Sequence, residues 1–256
     1  MQLIDTHAHL NDEKFKDDID QVVSRAKEAS VDKIIVCGYD IVSSRIAIKL
    51  ANKYESIYAT VGIHPHDATN VEDATISLLE EMARNPKVVA IGEIGLDYHY
   101  DFSPRKIQTE VFERQIDMAA KLKLPIVIHC RESNLEAINI LSNAKKIIGG
   151  VFHCYSGDEE ILQKVLALGM YIGIDGPITY RNSEKMIRAL HCCPLNRLLL
   201  ETDCPYLTPE PLRGKRNEPS YLPLIAEKVA GILGISTQYL ATVTTQNARA
   251  LFGKKL

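Results

Sequence analysis

Pro125-Ile126-Val127-Ile128-His129-Cys130-Arg131 opens as an apolar, β-branched run and ends on a histidine. Side chains alternate across a strand, so a run that is apolar at every position must be covered on both faces. That is the condition of a parallel strand sheathed by helices, and Ile34-Ile35-Val36 repeats it. Strand-like runs recur at residues 3–6, 33–37, 57–63, 88–94, 125–129, 150–153, 170–174 and 198–201. Amphipathic segments lie between them, at 17–29, 43–53, 71–84, 103–121, 135–143, 159–167 and 183–190. Segments 221–233 and 238–252 read as closing helices, with Asn247 as a polar contact and Leu251-Phe252 as core packing.

Eight strands alternating with helices, with no Pro/Gly/Ser-rich linker and no low-complexity tract, predict an α/β fold of the closed (β/α)8 TIM barrel type. Residues 1–256 form one barrel domain on this reading, which matches the roughly 250 residues such a barrel needs. A doubly wound sheet is the competing architecture. It is disfavoured because no Gly-rich phosphate loop follows the first strand and because the chemistry-bearing residues are spread over most of the strands.

Hydrophobic residues make up 46% of the chain, enough for a sizeable core, and the formal charge is −3. That charge provides no chain-wide attraction to nucleic acid or anionic membrane, so a polyanion has to be gripped locally. No apolar stretch approaches the roughly 18 residues of a membrane span, and the amino terminus lacks the basic-then-apolar pattern of a leader. Cys37, Cys130, Cys154, Cys192, Cys193 and Cys204 form no C-x-x-C pair and read as reduced thiols. The expected location is cytoplasmic, without membrane attachment and without an obligate protein partner.

Barrel active sites are built at the carboxyl ends of the strands. There fall His7 and His9 after strand one, Glu93 at the end of strand four, His129 after five, His153 after six and Asp203 after eight. One histidine at a strand end is ordinarily a satisfied polar group, but this many ligand-type residues at one mouth point to metal. Their number exceeds the four ligands of a structural zinc, and none is a thiolate. Two divalent ions bridged by Glu93 account for it, with His7, His9, Glu93 and Asp203 on one ion and Glu93, His129 and His153 on the other. Alternation turns Cys130 and Cys154 away from the site if their neighbouring histidines face it; Pro205 weakens the same argument for Cys204. Such a pair of ions suits hydrolysis, phosphodiesters above all. Asp203 is then either the acceptor of the water proton or a ligand only, and Glu93 is the bridge on which catalysis rests.

Beyond these ligands the chain resembles the TatD family of metal-dependent hydrolases, the TatD-type deoxyribonucleases, within the amidohydrolase-like metal barrels. The resemblance rests on segments 5–10 (DTHAHL), 62–66 (GIHPH), 92–98 (GEIGLDY), 129–131 (HCR), 152–157 (FHCYSG), 201–207 (ETDCPYL) and 213–219 (RGKRNEP). It implies metal ligands at His7, His9, Glu93, His129, His153 and Asp203, and an exonuclease acting on single-stranded DNA ends. Phosphotriesterase-like relatives bridge their metals with a carboxylated lysine, where this chain has Glu93. Histidine-rich ligation favours zinc, manganese, nickel or iron over magnesium, although magnesium can support nuclease turnover. Two other readings stay open: an esterase, amidase or aminoacyl-tRNA deacylase on the same site, and a non-catalytic metal-binding protein.

Three further residues are candidates for substrate binding. His64 is either a contact to the scissile phosphate or a hydrogen-bonded residue positioned by Pro65. Arg131 suits a phosphate, or else anchors a neighbouring loop. Arg213 leads the basic run Arg213-Gly214-Lys215-Arg216 on the active-site side. Tyr98, Tyr155 and Tyr206 are candidates to stack unpaired bases or to pack the rim. His66 reads as a loop contact, and His99 and His191 as surface residues.

Overall fold

The computed structural model describes residues 2–144, 148–253 and 256. Its strands are β1 (Leu3–Ala8), β2 (Val31–Cys37), β3 (Ile57–Val61), β4 (Val88–Asp97), β5 (Ile126–Arg131), β6 (Gly150–Phe152), β7 (Tyr171–Ile174) and β8 (Leu198–Leu200). They pair in parallel in the order β1 to β8, with no reversal of strand order. A doubly wound sheet has such a reversal and is therefore excluded. The helices are α1 (Ile19–Glu28), α2 (Ile41–Lys53), α3 (Asp73–Met82), α4 (Arg105–Leu122), α5 (Asn134–Asn143), α6 (Glu159–Ala167), α7 (Glu184–Cys192), α8 (Leu222–Leu233) and α9 (Thr237–Phe252). No helix among the described residues is long and apolar enough to cross a membrane.

Local chemistry sets the boundaries of several helices. Asp40 accepts the Ser43 amide at 2.6 Å and begins α2, Asp158 accepts the Ile161 amide at 3.0 Å and begins α6, and Ser236 accepts the Tyr239 amide at 3.2 Å and begins α9. Gly234, at φ 65°, takes the left-handed turn that ends α8.

Strand alternation divides the core in two. One cluster draws a residue from every strand, Ile4, Ile35, Tyr58, Val89, Val127, Val151, Tyr171 and Leu199, together with Ala248, Leu251 and Phe252 of α9. Two positions beyond Ile35, Val127, Val151 and Leu199 stand Cys37, His129, His153 and Glu201, so the apolar floor and the polar mouth share one face of the sheet. Residues of the opposite parity, such as Ile34, Ile126, Ile128 and Leu198, join the larger cluster between sheet and helices. Asn247 of α9 donates to the carbonyls of Leu195 and Leu198 at 2.7 and 2.8 Å, fixing that helix under β8.

The barrel closes between β8 and β1. Asp203 N donates to His7 O at 2.9 Å and His9 N to Cys204 O at 2.7 Å. Asp5 accepts the Thr202 amide at 2.9 Å and its hydroxyl at 2.6 Å, while Thr6 Oγ1 donates to Leu200 O at 3.1 Å. Burial pushes the Asp5 carboxyl up to about 7, against the Thr202 hydrogen bonds that lower it.

Strands β4 and β5 approach closely where they deliver their site residues. Gly95 has φ 142°, and a Cβ placed there would stand 2.0 Å from His129 O. Gly95→Ala is expected to cost about 1–3 kcal/mol through overpacking and backbone strain, lowering the melting temperature by several degrees in a thermal unfolding scan. An unchanged melting temperature would contradict the tight β4–β5 approach.

Candidate metal centre

The carboxyl ends of β1, β5, β6 and β8 bring five proposed ligands to one point, and Glu93 joins them from the middle of β4, which runs on to Asp97 rather than ending at residue 94. His7, His9, Glu93, His153 and Asp203 are buried and His129 is partly so. Glu93 stands in the middle with its two oxygens facing different partners. Oε2 lies 3.5 Å from Nε2 of both His7 and His9, and Asp203 Oδ1 lies 3.6 and 3.3 Å from the same two nitrogens. Oε1 lies 2.9 Å from His129 Nδ1 and 2.8 Å from His153 Nε2. Three groups among the described residues lie close enough to hold a cation: His7, His9 and Glu93; His7, His153 and Asp203; and His64, Glu93 and His129.

For His7, His9 and His129 the orientation of the imidazole follows from what holds its other nitrogen, whereas His153 Nδ1 is buried without a hydrogen-bond partner among the described residues, 3.8 Å from Glu201 Oε1. His9 Nδ1 donates to Cys37 O at 3.2 Å, and the Cys37 thiol meets His7 Nδ1 at 3.4 Å, so both Nε2 atoms face the centre. His129 is held by Asp97, whose Oδ2 accepts Nε2–H at 3.0 Å and leaves Nδ1 for the centre. Asp97 Oδ1 in turn accepts the amides of His99 and Tyr100 at 3.0 Å each. Buried carboxylates behind ligand-type histidines set the tautomer and the ring plane. Neither Cys37 nor Asp97 stands out from spacing alone, although both end strands that the same alternation places at this mouth.

Imidazole nitrogens meet each other directly, His7 Nε2 with His9 Nε2 at 3.1 Å and His129 Nδ1 with His153 Nε2 at 3.3 Å. The His7 and His153 rings stack at 3.9 Å. Lone pairs crowded in this way against two carboxylates are the donor set a divalent cation satisfies, so the residues fit a metal. Burial pushes His7 down to about 4, aided by the His153 charge. Burial opposes charge on Glu93 and Asp203, yet the surrounding imidazoles hold both carboxyls below their ordinary range. Burial likewise opposes charge on His129, but the Asp97 and Glu93 hydrogen bonds outweigh it and raise the ring to about 9.

His64 differs from the other histidines of the mouth. Its Nδ1 accepts the His66 amide at 3.2 Å, so the neutral ring carries its proton on Nε2, which lies 3.6 Å from Glu93 Oε1. Burial and the His129 charge push its pKa well below the ordinary value, keeping it neutral. It presents a donor to the centre, where the other histidines can present lone pairs.

The remaining candidates spread over the rim. Arg131 is exposed, its guanidinium 4.8 Å above the Tyr100 ring. Arg213 is exposed and sits 4.1 Å over Tyr180. Arg216 is committed elsewhere, donating to Asp18 at 2.8 and 2.6 Å and tying its loop to the start of α1. Tyr155 is buried and donates to Asp158 O, Tyr98 lies under Arg105, and Tyr206 keeps an exposed ring with Lys14 at 4.8 Å. Cys130 meets Ser133 at 3.3 Å, away from the ligand nitrogens, as alternation requires. His99 pairs with Glu132 at the surface and His191 is exposed. His66 is bonded to Asp97 at 3.0 Å and is more than a loop contact.

A closed parallel barrel with a histidine and carboxylate cluster able to hold metal at the carboxyl ends of its strands defines the class of metal-dependent barrel hydrolases. The chain belongs to the TatD related DNase family, which it matches over residues 4–253. It is 42% identical over 251 residues to the metal-dependent hydrolase YabD of Bacillus subtilis, covering 98% of each chain. It is 38% identical over 257 residues to the 3'-5' ssDNA/RNA exonuclease TatD of Klebsiella pneumoniae, again covering 98% of each. Among solved structures, the TatD homologue YjjV of Escherichia coli K12 superposes with a TM-score of 0.91 at 29% identity, over 98% of this chain and 97% of that one.

Two outcomes follow for metal binding. Asp97→Asn removes the acceptor that fixes the His129 tautomer, and is expected to weaken divalent-metal affinity by roughly 10- to 100-fold in isothermal titration; unaltered affinity would remove Asp97 from this role. The sign of the pH effect comes from the raised pKa of His129: its proton leaves only as pH rises through about 9. Apparent affinity should therefore climb about tenfold per pH unit from 7 towards 9 and then level, with proton release seen in buffers of different ionisation heat. A flat profile would show that His129 is already neutral at pH 7, against the raised pKa.

Proposed function

We propose that this chain hydrolyses phosphodiester bonds at the ends of single-stranded DNA or RNA with two divalent ions, working as one barrel domain over residues 1–256. The observation that carries the reading is the division of donors by Glu93, with His7, His9 and Asp203 around Oε2 and His129 and His153 around Oε1. A carboxylate with a separate donor set on each oxygen is suited to bridge two cations. The four imidazoles favour zinc, manganese, nickel or iron, and magnesium is included beside them in the assay. Full-length similarity to proteins named 3'-5' ssDNA/RNA exonucleases supports nucleic acid as substrate and a 3' starting end. The six free thiols support a reducing compartment, and the proposal includes the cytoplasm.

Bound ions would lower the pKa of the attacking water and neutralise charge on the attacking and leaving oxygens. The chain's own groups supply the rest. Asp203 turns Oδ1 towards His7 and His9, which leaves Oδ2 to accept the proton of the attacking water. His64 offers its Nε2–H to a non-bridging oxygen of the scissile phosphate, a neutral donor that stays a donor across the working pH range. Arg131 and Arg213 meet neighbouring backbone phosphates from the rim. Their exposure limits each to a modest share of affinity.

Nucleotide release from end-labelled single strands tests this. Asp203→Asn is expected to lower kcat by roughly 100- to 10,000-fold, and Glu93→Ala to reduce release to background. Undiminished release by Glu93→Ala would overturn the assignment.

A further inference from the structure

Two of the most exposed aromatic rings of the chain stand beside the centre and take no part in the metal site. Tyr100 and Phe102, in the loop between β4 and α4, are 48% and 67% exposed. Their rings stack on each other at 5.3 Å with an interplanar angle of 15°. The edge of His66 meets Phe102 at 4.7 Å, His66 meets His64 at 4.3 Å, and His64 meets His129 at 4.4 Å. An unbroken line of rings thus runs from solvent to the Oε1 side of Glu93.

With 48% and 67% of their surface left in water, these rings add less to the core than a buried aromatic does. The loop nevertheless holds them in place. Asp97 accepts the Tyr100 amide at 3.0 Å, Ser103 donates to His66 O at 2.9 Å, and Gln108 donates to the carbonyls of Asp97 and Ser103 at 3.1 and 2.8 Å. Phe102, 67% exposed, offers the open surface on which an unpaired base stacks at little entropic cost, while Tyr100 supports it from behind and carries the Arg131 guanidinium. Charge complementarity points the same way. The Arg131 guanidinium lies 4.8 Å over Tyr100 and has no carboxylate partner among the described residues, so it is free for a phosphate.

We propose that Tyr100 and Phe102 form the base subsite of this enzyme, on which one unpaired nucleobase beside the scissile phosphate stacks while Arg131 takes the adjoining backbone phosphate. The inference rests on the nuclease reading above and adds where, and by what contact, a single strand is recognised. It also accounts for strand preference, because a base held in a duplex cannot offer its face to Phe102.

The test is a scan of end-labelled single-stranded DNA in which a tetrahydrofuran abasic residue replaces each terminal nucleotide in turn, cleaved by the metal-loaded wild type and by Tyr100→Ala/Phe102→Ala. For the wild type, loss of the base at one position is expected to lower kcat/KM by roughly 10-fold or more, in KM rather than kcat. The double variant should show the same loss on the ordinary strand and no further loss on the abasic one, and Phe102→Trp should retain stacking. A double variant as sensitive to base removal as the wild type would overturn the subsite. So would one that loses equally on every strand, or one whose only change is a smaller mass in solution, which would give the rings to contact between copies of the chain. If the wild type cuts no strand under any metal, the nuclease reading itself falls; if it cuts but ignores base removal, only this inference does.

Discussion

The hydrogen bonds from Asp203 N to His7 O and from His9 N to Cys204 O join the two ends of an eight-stranded sheet. Residues nearly 200 positions apart become neighbours there, and the centre exists only because they do. Asp5 and Thr6 on one side and Thr202 on the other lock the seam with buried side-chain bonds. Residues that flank the candidate ligands in the sequence thus act on closure. Opening the seam would separate His7 and His9 from Asp203 and leave Glu93 with half of its surroundings.

Around that seam, one face of the barrel serves two purposes. Its lower level is apolar and is stopped by Leu251 and Phe252 of α9, while its upper level is the histidine and carboxylate cluster. The apolar level excludes water beneath the cluster, which strengthens the electrostatic interactions between its members. The depressed carboxyls of Glu93 and Asp203 and the raised ring of His129 follow from that shielding together with close opposite charges. Mutual proximity of so many donors is unfavourable without a cation, and their rigid support from Cys37 and Asp97 keeps them from relaxing apart.

Much of this was legible in the sequence. Eight strand-like runs alternated with helices, those at Ile34-Ile35-Val36 and Ile126-Val127-Ile128 apolar on both faces as parallel strands must be, and ligand-type residues at the ends of five of them pointed to a shared mouth. The side chains proposed as ligands stand around Glu93, with His7 and His9 near Oε2 and His129 and His153 near Oε1. Other features were not legible. Tyr98 and Tyr155 looked suited to bases because a sequence does not say that Tyr155 is buried or that Arg105 covers Tyr98, and Tyr100 and Phe102 did not stand out at all. His66 looked like a loop residue because its bond to Asp97 spans 31 positions.

The sequence by itself determined the strand and helix pattern, the barrel class and which histidines and carboxylates gather at one mouth, since alternation and strand-end position are local properties that a linear chain records. Only the tertiary structure decided which nitrogen of each imidazole faces the centre, that His64 presents a proton where its neighbours can present lone pairs, and which aromatic rings remain open to solvent. For His7, His9, His64 and His129 those depend on a partner on the other ring nitrogen. Such partners come from other strands, brought into register by closure of the sheet, and no spacing rule within one strand contains them.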